Sequence, residues 1–246
     1  MITSQRHNVI PLWGDVAMNV IMAAQQKGGV MKTTLDIHLA AEAIRKGRRA
    51  IIIEMDRQGT ASRWASDRVD GTDATDLLNP VERSKKPPEV VRADANDLPR
   101  LLAKLEERGY DFAFIDVPGT HSPAVNQAIR SADFILIPTR PAETDISASG
   151  ETLTVVHRFS RSYAYILTFT GPKPRTEEAR EALEDAGHPV VPGSIGNRVI
   201  FQDAIAGGKT VQEMEPNGAA ANEIKATWRW LDQQLKGGAK HDRRAG

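Results

Sequence analysis

The feature that most constrains this chain is a glycine-rich loop set between two segments of opposite character. Asn19-Val20-Ile21-Met22-Ala23-Ala24 is a short apolar run that reads as a buried strand. Next comes the loop Gln26-Lys27-Gly28-Gly29-Val30-Met31, and Lys32-Thr33-Thr34 opens the segment beyond it. There Ile37, Ala40, Ala41 and Ile44 recur at helical spacing, with Gly47 as the C-terminal stop. Strand, loop and helix in this order form an arrangement that binds phosphate. The loop amides point inward, and the helix N-terminus adds partial positive charge.

The rest of the chain keeps the same rhythm. Ala50-Ile51-Ile52-Ile53 is a second strand, ending in Glu54-Met55-Asp56. Residues 66–97 are polar and predict an irregular surface excursion with one short strand near Val90-Val91. Helices are predicted over 98–108, 123–131, 147–159, 176–186, 200–206 and 218–236. Strands are predicted at Asp111 to Asp116, Phe134 to Ile137, Tyr163 to Phe169 and near Val190-Val191. The apolar strands lack alternation, as strands covered on both faces do. The expected fold is therefore α/β, a mostly parallel twisted sheet with helices on both faces. Residues 18–236 are expected to form one domain. Residues 1–17 read as a flexible extension, with Met18 as a candidate start, and 237–246 as a disordered polar tail.

Composition narrows the function classes. The chain has 32 basic and 32 acidic residues among 246, so any nucleic-acid binding must come from a local patch. It has no cysteine, which excludes disulfides, thiolate metal sites and iron–sulfur clusters and fits a reducing cytoplasm. No apolar run approaches the roughly 20 residues needed to span a bilayer, and no secretion signal is evident. The six histidines show no metal-ligand spacing.

In the loop, Lys32 is expected on the β- and γ-phosphates and the Thr33 hydroxyl on Mg²⁺. The generic pattern G-x-x-x-x-G-K-[ST] is not met, because Gln26 and Met31 occupy its glycine positions. A Lys/Gly-rich surface turn is the bland alternative. Two aspartates shift the balance: Asp56 lies just past the second strand, and Asp116 ends another. In an open α/β sheet, ligands sit outside the carboxyl ends of the strands, and a strand-terminal aspartate holding Mg²⁺ is the expected partner of a phosphate loop. Either aspartate taken alone is more commonly a cap or turn residue, a reading that weakens when both share an edge with the loop.

These residues carry a family resemblance. Lys-Gly-Gly-x-x-Lys-Thr-Thr, with Lys27 ahead of Lys32, resembles the deviant Walker A motif of the ParA/MinD ATPases. Glu54-Met55-Asp56-Arg57-Gln58-Gly59 is similar to that family's Asp-x-Asp-Pro-Gln-Gly segment, and Asp111 to Pro118 to its Walker B and switch region. Ile137-Pro138-Thr139 with Asp145, and Arg198 to Ile224, resemble later family segments. The likeness runs from about 19 to 236 and is strongest to small ParA proteins of plasmid and chromosome partition. It implies a single P-loop NTPase domain that uses ATP and Mg²⁺. It implies that loop residues Lys27, Gly28, Gly29, Val30, Met31, Lys32, Thr33 and Thr34 bind nucleotide, and that Thr33 and Asp116 serve the metal. By the same resemblance Lys27 reaches across a homodimer to the partner's ATP, and Asp56 positions the attacking water. The dimer would bind nonspecific DNA on the nucleoid, away from any membrane. A ParB-like centromere-binding protein would stimulate hydrolysis.

The departures are Met31 for glycine, Glu54 for aspartate, Arg57 for proline and Gly119 where a second proline is frequent. Met31 is expected to weaken nucleotide binding or the closed dimer, because glycine permits backbone conformations that a side chain disfavours. A degenerate, non-hydrolysing module is therefore one alternative, and a MinD-like membrane ATPase another. Lys225, Arg229, Lys236, Lys240, Arg243 and Arg244 suggest either a DNA-facing edge or a solvated charged face. Arg198 is a further basic candidate. Trp228, Leu231 and Leu235 fall at helical spacing and read as core packing.

Overall fold

In the computed structural model, residues 17–68, 87–120, 122–171 and 173–237 are described. The expectations for 1–16 and 238–246, and for 69–86 within the polar excursion, lie outside them. Seven strands form one sheet: β1 Asn19–Ala23, β2 Ala50–Glu54, β3 Glu89–Arg92, β4 Phe112–Asp116, β5 Phe134–Thr139, β6 Ser162–Thr170 and β7 Val190–Gly196. Their spatial order is β3-β2-β4-β1-β5-β6-β7, and every pairing is parallel.

The helices are α1 Lys32–Arg45, α2 Thr60–Ser66, α3 Leu98–Glu107, α4 Pro123–Ser131, α5 Glu143–Ala148 and α6 Gly150–Arg158. They continue with α7 Lys173–Asp185, α8 Ile200–Ala206, α9 Val211–Met214 and α10 Ala219–Gly237. The uninterrupted apolar strands resolve into two cores by period-two alternation. Ile21, Ile52, Phe112, Phe114 and Leu136 face α1, α2 and α8–α10. Val20, Met22, Ile51, Ile53, Ala113, Ile115, Ile135 and Ile137 face α3, α4, α6 and α7.

The structure corrects several predicted elements. The helix predicted over 147–159 is two helices, α5 and α6, meeting at Ser149. The buried Ser149 hydroxyl bonds Tyr165 Oη at 2.7 Å and the Ile146 carbonyl, which fixes the break against β6. The strand near 190–191 continues to Gly196, because pairing with β6 holds it past the polar Pro192-Gly193-Ser194. Helix α2 and the one-turn α9 have no counterpart in the sequence reading. Both are too short for periodicity to show; tertiary contacts, and for α9 a Thr210–Glu213 capping box, hold them. Trp228 and Leu231 of α10 are buried, Trp228 edge-on to Phe112 at 5.0 Å.

β1 lies at the centre of the sheet, flanked by β4 and β5. Its C-terminal end, with the loop that follows, sits where the winding of the chain reverses. That is the crevice in which open α/β sheets hold ligands.

Candidate functional site: a phosphate loop and its acidic edge

The loop after β1 has the backbone shape an anion needs. Gly28 and Gly29 are exposed, and Gly29 has φ +68°. Met31 is the N-cap of α1 and takes the left-handed conformation at φ 73°, ψ 23°. The conformation glycine would supply is thus reached by a methionine, at roughly 1–2 kcal/mol of strain. Its side chain is 8% exposed and belongs to the core that also holds Leu35 and Phe201. Val30 is buried, and its carbonyl accepts a long 3.4 Å bond from Thr168 Oγ1 of β6.

Lys32 begins α1 and is largely buried. Its Nζ donates to the Lys27 carbonyl at 3.3 Å, curling back over the loop. Burial lowers its pKa, while Asp116, Asp56 and Asp36 pull the other way. Gly119 lies against it. A Cβ there would come within 3.0 Å of Lys32 Nζ and 3.4 Å of Gly28, so this departure from the family pattern makes room for the lysine. Thr33 Oγ1 donates to Asp116 Oδ1 at 2.9 Å. The other Asp116 oxygen is buried without a hydrogen-bond partner, and burial raises this carboxyl to about 7 despite the Thr33 bond. Thr34 is half-buried on α1, its backbone carbonyl 2.7 Å from His38 Nδ1.

Asp56 lies past β2, with Oδ1 accepting from the Gln58 amide at 2.9 Å. Its loop is tied to β4 by Met55 N–H to the Asp116 carbonyl, 2.8 Å. Lys27 points away from Lys32 and pairs with Asp145 of α5 at 2.8 Å; the lysine side chain is 39% exposed and the aspartate 6%. Lys32, Thr33, Asp56 and Asp116 therefore gather at one sheet edge, and Lys27 stands at its rim. A cleft of about 620 Å³ opens beside this edge, between the ends of β2 and β3 and helix α3, with Glu54, Asp56 and Arg92 on its wall.

Sequence reasoning missed three neighbours, Asp36, Arg140 and Arg92, and the partner of a fourth, Glu54. Asp36 is fully buried one turn after Lys32, and neither carboxyl oxygen has a hydrogen-bond partner. Burial, with the Asp116 charge next, raises its pKa well above the ordinary carboxylate value; the Lys32 charge and, more weakly, the Ala23 backbone oppose this. Its spacing of four from Lys32 was the available signal. Arg140 donates to the Gly29 carbonyl at 2.8 Å and stacks over Phe169 at 4.8 Å, bracing the loop from β5. Glu54 and Arg92 form an ion pair behind Asp56 at 3.1 Å. No spacing rule links these last pairs, which meet only across parallel strands.

The basic candidates near the C-terminus divide. Arg198 is committed to Glu223 through bonds of 2.7 and 3.1 Å, Lys225 to the Pro216 carbonyl, and Lys236 to Asp232 at 2.6 Å. Arg229 is exposed. Lys240, Arg243 and Arg244 lie outside the described residues. Among the described residues, no helix is long and apolar enough to cross a membrane.

Comparison with known proteins gives a consistent result. The family model described as ATPase MipZ matches residues 19–184. The maintenance of carboxysome distribution protein A of Gloeobacter kilaueensis is 30% identical over 224 residues, covering 88% of this chain and 93% of that protein. Protein IncC of Escherichia coli is 26% identical, covering 87% and 69% respectively. Among solved structures, the septum site-determining protein MinD of Pyrococcus horikoshii, complexed with Mg-ADP, superposes with a TM-score of 0.70 at 18% identity, covering 91% of this chain and 100% of that one. The chain belongs to the MipZ/ParA-type family of P-loop ATPases.

Proposed function

We propose that this chain is a ParA-like partition ATPase, an ATP-dependent dimerisation switch that binds nonspecific DNA and releases it on partner-stimulated hydrolysis. The observation that carries the reading is the Thr33–Asp116 pair, 2.9 Å apart beside Lys32. A hydroxyl and a carboxylate with one unpartnered buried oxygen form a hard-oxygen donor set that suits Mg²⁺. ATP and Mg²⁺ are the cofactors of this reading, and the metal would neutralise charge developing on the terminal phosphates. The exposed Gly28 and Gly29 backbone and Lys32 would hold the phosphates. Asp56 would orient water.

Lys27, exposed at the rim, would exchange Asp145 for the partner protomer's nucleotide, so that the homodimer forms only on ATP. Nonspecific DNA would be held by phosphate contacts from the C-terminal basic residues, with Arg229 as the described candidate and Arg198 engaged elsewhere. The reading places the protein in the cytoplasm on the nucleoid, with a ParB-like protein as the stimulating partner. Relatives named for carboxysome distribution are covered over more than nine-tenths of their length, which favours a second reading of the cargo as a protein-bounded body rather than a plasmid or chromosome. Met31 adopts the left-handed geometry with its side chain in the core, which supports a working loop over a degenerate one. The burial of Trp228 and Leu231 supports DNA over membrane as the surface.

The test is size in solution with and without ATP–Mg²⁺, together with retention on nonspecific DNA across a salt series. We expect an ATP-dependent dimer and salt-sensitive binding, both lost in Lys32→Ala. An oligomeric state and DNA affinity indifferent to ATP would sink the switch.

A further inference from the structure

The departure at residue 54 has a structural role of its own. Glu54 is the last residue of β2, and its side chain is 0% exposed. A carboxylate so placed has to be satisfied by several donors or it costs many kcal/mol. Oε1 accepts from the amides of Ala61, at 2.8 Å, and Ser62, at 3.1 Å. Oε2 accepts from the Ser62 hydroxyl and from Arg92 Nε, at 3.1 Å. Those amides belong to the first turn of α2, whose N-cap is Gly59, with φ +68° and no side chain to cap them. The strand thus supplies the cap that the helix lacks.

Arg92, on β3, closes the arrangement. Besides Glu54 it reaches Ser62 Oγ at 3.2 Å, and its guanidinium fills the space a Cβ on Gly59 would take. The far end of α2 is fixed independently. Trp64 Nε1 donates to the Lys209 carbonyl at 2.9 Å, and Arg68 donates to the Gly208 carbonyl at 2.8 Å and pairs with Glu213 at 2.6 Å. Between the anchored strand and the anchored helix runs the five-residue loop Met55–Gly59, which carries Asp56. The loop's own ties are the Met55 amide to Asp116, the Gln58 amide to Asp56 Oδ1, and the Gly59 amide to the Asp56 carbonyl at 3.1 Å.

We propose that Glu54 and Arg92 are positioning residues for hydrolysis: they clamp the start of α2 to the sheet and so fix the loop from which Asp56 faces the phosphate site. The proposal rests on the ATPase reading above. Neither residue belongs to the phosphate loop, so the clamp acts on turnover and leaves nucleotide affinity in place. The glutamate is required for reach: an aspartate is one methylene short of the α2 amides.

The experiment uses the full chain with Glu54→Gln, Glu54→Asp and the exposed-site variant Arg92→Ala. It measures single-turnover ATP hydrolysis, affinity for a fluorescent ATP analogue, and amide exchange at Ala61 and Ser62. We expect hydrolysis to fall about tenfold in both Glu54 variants and several-fold in Arg92→Ala, with affinity held within about threefold. Amide exchange at Ala61 and Ser62 rises about tenfold while that of β1 and β4 is unchanged. Glu54→Asp behaving as wild type overturns the reach argument. Hydrolysis within about twofold of wild type in Glu54→Gln and Arg92→Ala, or rate and affinity falling together, overturns the positioning role. Unaltered exchange at Ala61 and Ser62 overturns the clamp even if the wild-type chain proves not to hydrolyse ATP. That last result would instead sink the ATPase reading and the positioning role with it.

Discussion

At the scale of single residues, Met31 and His38 show how side chains on α1 and its cap are committed to the core. Met31 accepts left-handed strain at the N-cap and buries its thioether arm in return. Met31→Gly would relieve roughly 1–2 kcal/mol of strain but empty a methionine-sized space worth about 2–5 kcal/mol. We expect a net loss of about 1–3 kcal/mol in urea unfolding, with nucleotide affinity changed less than about threefold; a more stable variant would mean the side chain is not packed as described. His38 is fully buried, its ring edge-on to Phe201 at 5.4 Å, with Nδ1 on the Thr34 carbonyl and Nε2 without a partner. Burial drives its pKa down to about 4, against weaker opposing pulls from the Thr34 carbonyl and Glu213. The folded value lies below the unfolded one, so the unfolded state binds the proton first. The contribution is complete above about pH 6.5 and is lost as pH falls toward 4, up to about 3 kcal/mol. The difference in stability between pH 7 and pH 4.5 should therefore shrink in His38→Gln; an identical pH slope in both proteins would remove His38 as the cause.

At the scale of elements, each helix face is assigned by which strand residues it covers. α10 closes one face of the sheet through Trp228 against Phe112, and through Trp230 against Phe134 at 5.9 Å. Trp228→Ala should cost about 3–5 kcal/mol in chemical denaturation. Because Trp228 packs on Phe112 at the amino-terminal end of β4, the opposite end of the strands from the phosphate loop, residual folded protein should keep its nucleotide affinity. A loss below about 1 kcal/mol would mean α10 is held by something other than this contact. α2 illustrates the opposite kind of element. It is seven residues long and carries no side-chain cap of its own; Glu54 of β2 holds its first turn, while its own Trp64, and Arg68 just past it, anchor it to the Lys209 and Gly208 carbonyls.

At the scale of the whole molecule, the proposed switch requires Lys27 to leave Asp145. The lysine is more than one-third exposed, so the pair is screened and worth about 0–1 kcal/mol. Asp145→Ala should therefore move the midpoint of ATP-dependent dimerisation to lower protein concentration by about two- to fivefold, and less at high salt. A midpoint that stays put or rises in analytical ultracentrifugation would show that Asp145 does not restrain the lysine.

The chain order of most strands and helices was legible in the sequence, because apolar runs of four to six residues and 3.6-residue periodicity are local signals. So was the grouping of Lys32, Thr33, Asp56 and Asp116, since each follows or ends an apolar strand and parallel strands present their carboxyl ends together. What tertiary structure decided is what has no local period. It chose which of Val20 and Ile21 faces which core, broke the helix at Ser149 against Tyr165, and capped α2 from β2 through Glu54. It also paired Glu54 with Arg92, Lys27 with Asp145 and Arg198 with Glu223 across separations of 38, 118 and 25 residues. The phosphate loop itself divides the same way. Its composition announced an anion site, but only the packed fold shows that the methionine replacing its glycine keeps the backbone bend by moving its side chain into the core.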